Sequence, residues 1–108
     1  MIDARFVYVT AKDRAEAITI GRIIVSERLA ACANVIDGVA SIYRWEGAVH
    51  EDTEAILVMK SRVDLVEALA ERVRALHSYD CPCIVSLPID DGNLDYLDWI
   101  AAETGAKT

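Results

Sequence analysis

The chain has 108 residues, a formal net charge of −7 and an apolar fraction of 54%. An acidic balance of this size disfavours nucleic acids and anionic membrane surfaces, because both reward clustered Lys and Arg. No stretch approaches the roughly 20 apolar residues that span a bilayer, and the N-terminal residues lack the pattern of a secretory signal. We therefore expect one cytoplasmic domain over residues 1–108, with its three cysteines reduced.

The first half of the chain begins with a predicted strand and a predicted helix. Arg5–Thr10 is rich in β-branched and aromatic residues, which favour strands. Asp13 is placed to cap the following helix, with Glu16 three residues later in the spacing of a capping box. Apolar residues then recur with a helical period, so the helix is predicted to run to about Ala31. A second strand is predicted to begin at residues 33–36.

A long β-hairpin is the most distinctive prediction from the sequence. After Asp37-Gly38, which predicts a turn or bulge, the hairpin runs through Ser41–His50 with a tight turn at Gly47. It returns through Ala55–Lys60, and the continuous apolar run from Ala55 to Met59 is typical of a strand covered on both sides. A two-stranded ribbon is marginal alone, so this one must lie on its own sheet or on another subunit.

The second half predicts a helix, a strand and a last short helix. Ser61–His77 has an amphipathic helical pattern, Cys83–Ile89 reads as a strand, and Asn93 is placed to cap the last helix. The order β-α-β-β-α-β folds most simply as an α+β, ferredoxin-like split βαβ sandwich with an extra C-terminal helix. Helices would cover one face of the antiparallel sheet. The bare second face predicts sheet packing between subunits.

Four sequence blocks resemble those of the CutA family, the divalent-cation tolerance proteins. The blocks are Glu27–Val35, Ser41–Gly47, Leu76–Pro82 with Leu87–Ile89, and Gly92–Ile100. The resemblance implies a homotrimer with interlocked hairpins, similar in architecture to the PII signalling proteins. It also implies a part in the response to copper and other divalent metal ions. It brings no catalytic residues, so we expect a protein that is not an enzyme.

The motif with the most specific chemical prediction is Cys81-Pro82-Cys83. In an extended backbone, residues two apart face the same side, so both thiolates could reach one soft ion such as Cu(I) or Zn(II). His77 could add an imidazole, which gives a predicted metal site of His77, Cys81 and Cys83. Position 83 is usually glutamate in the CutA family, so this site would be particular to the present sequence. The alternative is that both cysteines are structural, and Cys32 is expected to be a packed core thiol. Copper or another divalent ion would not be required for folding.

Eight aromatic and charged residues match positions of the CutA family. They are Tyr43, Arg44, Trp45, Glu46, Lys60, Tyr79, Tyr96 and Trp99. One interpretation is a small-molecule pocket in an intersubunit cleft. The simpler interpretation is interface packing, with Arg44 and Glu46 paired across the interface.

The return strand of the hairpin begins with an acidic edge. Its members are His50, Glu51, Asp52 and Glu54. Carboxylates suit hard cations, but this spacing matches no recognised calcium loop. The sequence therefore predicts a solvated edge that resists aggregation.

Two functions follow from these patterns. The first is a cytoplasmic trimer that binds copper or a similar ion and acts in metal tolerance. The second is a PII-like trimeric scaffold whose intersubunit clefts bind a small metabolite or a partner protein. No nucleic acid or membrane partner is expected in either case.

Overall fold

A computed structural model describes residues 3–106 of the chain. Its elements are β1 (Ala4–Ala11), α1 (Arg14–Ser26), β2 (Cys32–Trp45), β3 (Ala48–Arg62), a 3-10 turn (Val63–Leu65), α2 (Val66–Leu76), β4 (Ile84–Pro88) and α3 (Leu94–Glu103). The four strands form one antiparallel sheet in the order β2-β3-β1-β4. This is the predicted ferredoxin-like α+β arrangement, which the structure confirms. Within residues 3–106, none of the helices has the length and apolarity needed to cross a membrane.

The main core lies between α1, α2 and one face of the sheet. Its fully buried side chains include Val7 and Val9 on β1, Leu57 and Met59 on β3, Ile20 and Ile24 on α1, and Leu69 and Val73 on α2. Each such side chain stabilises the fold by about 1.5–3 kcal/mol relative to exposure. Gly21 lets α1 approach the sheet closely, since a Cβ there would lie 3.1 Å from both Ala33 and Leu57 side-chain atoms.

The second face of the sheet is only partly covered. At one end, α3 packs Leu97 and Ile100 against Ala4 and Ala31. Beyond that cluster, apolar side chains on the same face are about half exposed: Ile36 by 52%, Val85 by 50% and Leu87 by 54%. The bare second face expected from the sequence is therefore present only beyond α3, which covers one end of it.

The hairpin of β2 and β3 matches its prediction closely. The two strands pair from Cys32 opposite Lys60 to Trp45 opposite Ala48. The register shifts between Ile36 and Val39, which confirms an irregularity at Asp37-Gly38. At the tip, Glu46 and Gly47 both have positive φ, as a two-residue hairpin turn requires.

Helix α1 ends at Ser26, not near Ala31 as the periodicity predicted. A Schellman motif stops it: the Arg28 N–H donates to Val25 O at 3.0 Å and the Leu29 N–H to Ile24 O at 3.1 Å. The motif needs a left-handed residue, and Arg28 takes that role with φ 62°. Because this position is normally Gly, the sequence carried no local stop signal.

The second predicted helix also begins later than expected. β3 continues to Arg62, since Ser61 pairs with Arg5 and Arg62 pairs with Ala4. Helix α2 therefore begins at Val66, after the 3-10 turn, and not at Ser61. Strand pairing with β1 outweighs the local helical pattern at these two residues.

Candidate functional site

One concave cavity of about 530 Å³ lies where the loop after α2 meets the outer half of the hairpin. It is at the Thr10 end of β1, away from the end that α3 covers. Its lining residues are Thr10, Ser41, Tyr43, Trp45, Glu54, Ser78, Tyr79, Asp80, Cys81 and Cys83. We call it the hairpin cavity. It gathers the metal candidates Cys81 and Cys83 with the aromatic candidates Tyr43, Trp45 and Tyr79.

His77 is buried beneath this loop, and its ring holds the loop in place. Its side chain is 0% exposed. Nε2 lies 2.7 Å from the carbonyl oxygen of Thr10, which can only accept, so Nε2 carries the proton. Nδ1 accepts from the backbone N–H of Tyr79 at 3.1 Å. Both nitrogens are thus used within the chain, and the ring offers no free lone pair to a metal ion.

Glu16 fastens the same loop to the start of α1. Its carboxylate accepts from the backbone N–H groups of Lys12 at 3.0 Å and Ser78 at 2.9 Å. Burial disfavours the charged form, but these hydrogen bonds outweigh burial, so the pKa of Glu16 is lowered. The predicted cap is confirmed in that Asp13 accepts from the Glu16 N–H at 2.9 Å. The Glu16 side chain, however, serves the distant loop as well as the helix start.

Two tyrosines are tied to the acidic edge of the hairpin. The Tyr79 hydroxyl donates to Glu54 Oε2 at 2.7 Å, and the Tyr43 hydroxyl donates to Asp52. Burial and the Glu54 carboxylate raise the pKa of Tyr79. The hydrogen bond to Asp52, followed by burial, raises the pKa of Tyr43. The predicted edge is exposed at His50, Glu51 and Asp52, and Asp52 and Glu54 in addition each accept a hydrogen bond from a tyrosine hydroxyl.

Cys81 and Cys83 are free and exposed, and both line the hairpin cavity. Burial of the thiol, with the nearby Glu54 carboxylate, raises the pKa of Cys83. Residues 3–106 hold no group of three or more His, Cys, Asp or Glu side chains arranged to bind a metal ion. Cys81 and Cys83 line the same cavity without His77, and metal binding by them stays a prediction.

Cys32 lies at the other end of the sheet. It is half-buried at the start of β2, and its Sγ is 3.5 Å from the Tyr96 hydroxyl. This contact, with burial, raises the pKa of Tyr96 to about 12. Cys32 does not line the hairpin cavity, so the three cysteines do not form one site.

The remaining interface candidates are spread over the second face and the hairpin tip. Tyr96 and Trp99 contact each other on α3, with ring centroids 5.5 Å apart. Lys60 donates to the Asn34 side chain at 2.9 Å. Arg44 and Glu46 are exposed at the hairpin tip, so their pairing across an interface stays a prediction.

Several lining residues were not predicted as site residues. They are Thr10, Ser41, Glu54, Ser78 and Asp80. Ser41 shares strand parity with Tyr43, which is the one signal the sequence offered for it. The other four residues are brought to the cavity by the pairing of the strands and by the course of the loop after α2. Neither is encoded in a local sequence pattern.

These features define a ferredoxin-like α+β protein with an overlong β2–β3 hairpin, an added C-terminal helix and an aromatic cavity beside the hairpin. The profile of one family, described as CutA1 divalent ion tolerance protein, matches residues 5–103. The chain belongs to this family.

Individual relatives agree with the family assignment. The chain is 48% identical over 99 residues to the divalent-cation tolerance protein CutA of Thermus thermophilus, covering 92% of this chain and 96% of that protein. It is 45% identical over 98 residues to the chloroplastic protein CutA 1 of rice, Oryza sativa, covering 91% of this chain but 55% of that protein. The chain thus spans nearly all of the bacterial relative and about half of the plant one.

The fold agrees equally well with a solved structure. The crystal structure of CutA1 from Oryza sativa superposes with a TM-score of 0.94 at 42% identity, covering 98% of this chain and 97% of that one. The fold of this chain, with its long hairpin and C-terminal helix, therefore matches that structure over nearly its whole length.

Proposed function

We propose that this protein acts in tolerance of divalent metal ions by binding copper, or a similar soft ion, through Cys81 and Cys83. The observation that supports this is that both Cys81 and Cys83 line the hairpin cavity. Thiolates select Cu(I) and Zn(II) over hard cations. Two thiolates are enough for Cu(I), which accepts low coordination numbers, so the loss of His77 as a ligand does not remove the site. Binding, and not catalysis, is the proposed activity.

The assembly we propose is a homotrimer. It is supported by family membership and by the half-exposed apolar side chains of Ile36, Val85 and Leu87 on the second face. Packing these faces together would remove apolar surface from water. The expected result in light scattering is three times the mass of the chain, and a monomeric mass at micromolar concentration would contradict it.

The cytoplasm is the proposed location. All three cysteines are free, and the exposed Cys81 and Cys83 would be open to oxidation in an oxidising compartment. Cell fractionation with thiol labelling of the native protein tests this. Recovery in the cytoplasmic fraction with labelled thiols supports the proposal, whereas recovery elsewhere contradicts it.

An anaerobic competition titration against a chromophoric Cu(I) chelator tests the metal proposal. The wild-type protein is compared with the double variant Cys81→Ser/Cys83→Ser. The matched control is Cys32→Ser, which removes a thiol outside the cavity. Stoichiometric binding that is lost in the double variant and kept in the control supports the site. Equal binding by all three proteins would show that the cavity thiols are not the ligands.

A second candidate function is a trimeric scaffold that binds a small metabolite. The observation that favours it is the size of the hairpin cavity, about 530 Å³, with three aromatic side chains in its lining. Small-molecule sites commonly have about 300–1,000 Å³ and aromatic walls. Trp45 lines the cavity, so its fluorescence should change on binding across a metabolite and nucleotide panel. A flat response across the panel would remove this candidate.

A further inference from the structure

We propose that His77 is a pH-sensitive switch, whose ring exchanges the backbone N–H of Tyr79 for the carboxylate of Glu16 when its Nδ1 gains a proton. The exchange would loosen the loop after α2, residues 78–83, in mildly acidic solution. The switch does not depend on the proposed functions, because neither Glu16 nor His77 is among the proposed metal ligands or the cavity lining. The His77 side chain is 0% exposed and that of Glu16 9%, so a neighbouring subunit does not replace their contacts.

The neutral ring of His77 is fixed in one tautomer. Nε2 donates to the carbonyl oxygen of Thr10 at 2.7 Å, so Nδ1 carries the lone pair and accepts from the Tyr79 N–H at 3.1 Å. The preceding N–H, that of Ser78, donates to the Glu16 carboxylate at 2.9 Å. Two successive backbone N–H groups of the loop therefore depend on two titratable side chains.

Protonation of Nδ1 removes the acceptor of the Tyr79 N–H. An imidazolium has two N–H donors and no lone pair, so Nδ1 and the Tyr79 nitrogen would then face each other as two donors. Glu16 Oε1 lies 4.0 Å from Nδ1. Because charge-assisted hydrogen bonds have lengths of about 2.7–2.9 Å, a movement of about 1 Å is enough to form one. The bond to Tyr79 is thereby exchanged for a stronger bond to Glu16, while Nε2 keeps its proton.

The groups that face the ring favour its charged form. They are the Glu16 carboxylate from α1, the Tyr79 ring from the loop with its centroid 4.7 Å away, and the uncharged Thr10 carbonyl from β1. Glu54 on β3 lies one hydrogen bond further, since it accepts the Tyr79 hydroxyl. Arg74 on α2 is exposed, so its charge is screened by solvent. The two carboxylates attract an imidazolium and oppose the cost of burying its charge.

The exchange is expected between pH 7 and pH 5. Histidine is the side chain that ordinarily changes charge in this range. Glu16 is still ionised at pH 5: burial opposes its charge, but hydrogen bonds outweigh burial and lower its pKa from the ordinary 4.5. Glu16 therefore keeps the Ser78 N–H while the Tyr79 N–H is released. The Tyr79 hydroxyl stays bonded to Glu54, so the loop loosens locally and the fold remains.

NMR of the reduced, metal-free, full-length protein tests the switch. The chain has two histidines, so nitrogen-15 labelling of histidine gives separate ring signals for the buried His77 and the exposed His50. At pH 7, His77 should carry a proton on Nε2 and none on Nδ1. At pH 5, Nδ1 should be protonated, and the protection of the Tyr79 N–H against hydrogen exchange should fall about tenfold, the scale of one lost hydrogen bond. The protection factor of the Ser78 N–H should stay within about twofold.

Paired variants identify the groups that operate the switch. Glu16→Gln keeps an acceptor for the Ser78 N–H but removes the charge, so His77 should bind its proton about tenfold more weakly. Glu51→Gln removes an exposed carboxylate on the hairpin, and proton binding by His77 should stay within about twofold of wild type. His77→Gln should make the protection of the Tyr79 N–H independent of pH between 7 and 5.

Three outcomes would overturn the switch or its mechanism. A proton on Nδ1 at pH 7, or a neutral ring with unchanged Tyr79 protection at pH 5, overturns the switch. Equal losses of protection at Ser78 and Tyr79 overturn the exchange of partners, because general loosening would explain both. Cys81→Ser/Cys83→Ser should switch as wild type does even where its Cu(I) binding is lost, so the switch and the metal proposal can fail separately.

Discussion

The buried Nε2 of His77 donates a 2.7 Å hydrogen bond to the carbonyl oxygen of Thr10. This bond joins the end of α2 to the end of β1 and places the loop that carries Tyr79, Cys81 and Cys83 beside the hairpin. It makes His77 a positioning residue for the hairpin cavity. The same bond takes His77 out of the predicted set of metal ligands.

Substitution of His77 separates these two roles. In His77→Gln we expect Cu(I) affinity within about threefold of wild type, because no ligand is lost, and a destabilisation of about 1–3 kcal/mol from disrupted buried hydrogen bonds. Chelator competition and urea unfolding measure the two effects. A loss of Cu(I) affinity as large as that in Cys81→Ser/Cys83→Ser, in a variant that remains folded, would restore His77 as a ligand.

Arg28 gives a second prediction, about stability. Its left-handed backbone costs about 1–2 kcal/mol for a non-glycine residue. Its guanidinium compensates by donating to Gly105 O at 2.8 Å and Ala102 O at 2.9 Å, near the end of α3. Arg28→Ala keeps the backbone cost and loses these bonds, so we expect a loss of about 2 kcal/mol in the free energy of unfolding.

Arg28→Gly is the matched variant for this prediction. It loses the same side-chain bonds but relieves the backbone, so it should be about 1 kcal/mol more stable than Arg28→Ala. Urea unfolding of the three proteins at one protein concentration measures both differences. A lower free energy of unfolding for Arg28→Gly than for Arg28→Ala would contradict this prediction. It would show that relief of the left-handed backbone at position 28 is not the main difference between the two variants.

The pH dependence of metal binding gives a third prediction. The pKa of Cys83 is raised, by burial and then by Glu54, so the free thiol is protonated at neutral pH. A metal ion that binds the thiolate must displace this proton, and its apparent affinity should rise about tenfold per pH unit from this group between pH 6 and 8. Chelator competition across that range measures the slope. In Cys83→Ser, the slope of the logarithm of apparent affinity against pH should fall by about one. An unchanged slope would show that the released proton comes from another group.

Acid stability gives a fourth prediction, centred on Glu16. Its folded-state pKa lies below the ordinary value of 4.5, so its charged form stabilises the folded state above that value. This contribution is lost as the pH falls through the lowered pKa, because the protonated carboxyl is a poorer acceptor for the Ser78 N–H. Glu16→Gln should therefore be less stable at pH 7 and lose less stability on acidification than wild type.

Urea unfolding between pH 7 and pH 3 measures the Glu16 effect. Glu51→Gln, which removes an exposed carboxylate on the hairpin, is the control for net charge. Equal pH profiles for Glu16→Gln and Glu51→Gln would mean that the contact with Ser78 contributes nothing specific.

The sequence by itself determined the order of elements, the fold class and the hairpin. Strand composition, helical periodicity and turn residues act over a few neighbouring positions, so they are readable without the fold. The irregularity at Asp37-Gly38 and the turn at Gly47 follow from residues that accept positive φ. Asn93 was predicted as the cap of α3 for the same local reason, and its side chain accepts from the Asp95 N–H at 3.1 Å.

The tertiary structure alone decided where elements stop and which side chains remain free. α1 ends early because Arg28 gains partners 74 and 77 positions away in the chain, and β3 runs on because Arg62 pairs with Ala4. The predicted metal site loses His77 because its Nε2 donates a hydrogen bond to the carbonyl oxygen of Thr10, which is 67 positions away. Hydrogen bonds between such distant residues depend on the packed arrangement of the whole chain, so no local sequence pattern predicts them. The hairpin cavity follows for the same reason, since its walls meet only when the loop after α2 is held against β1.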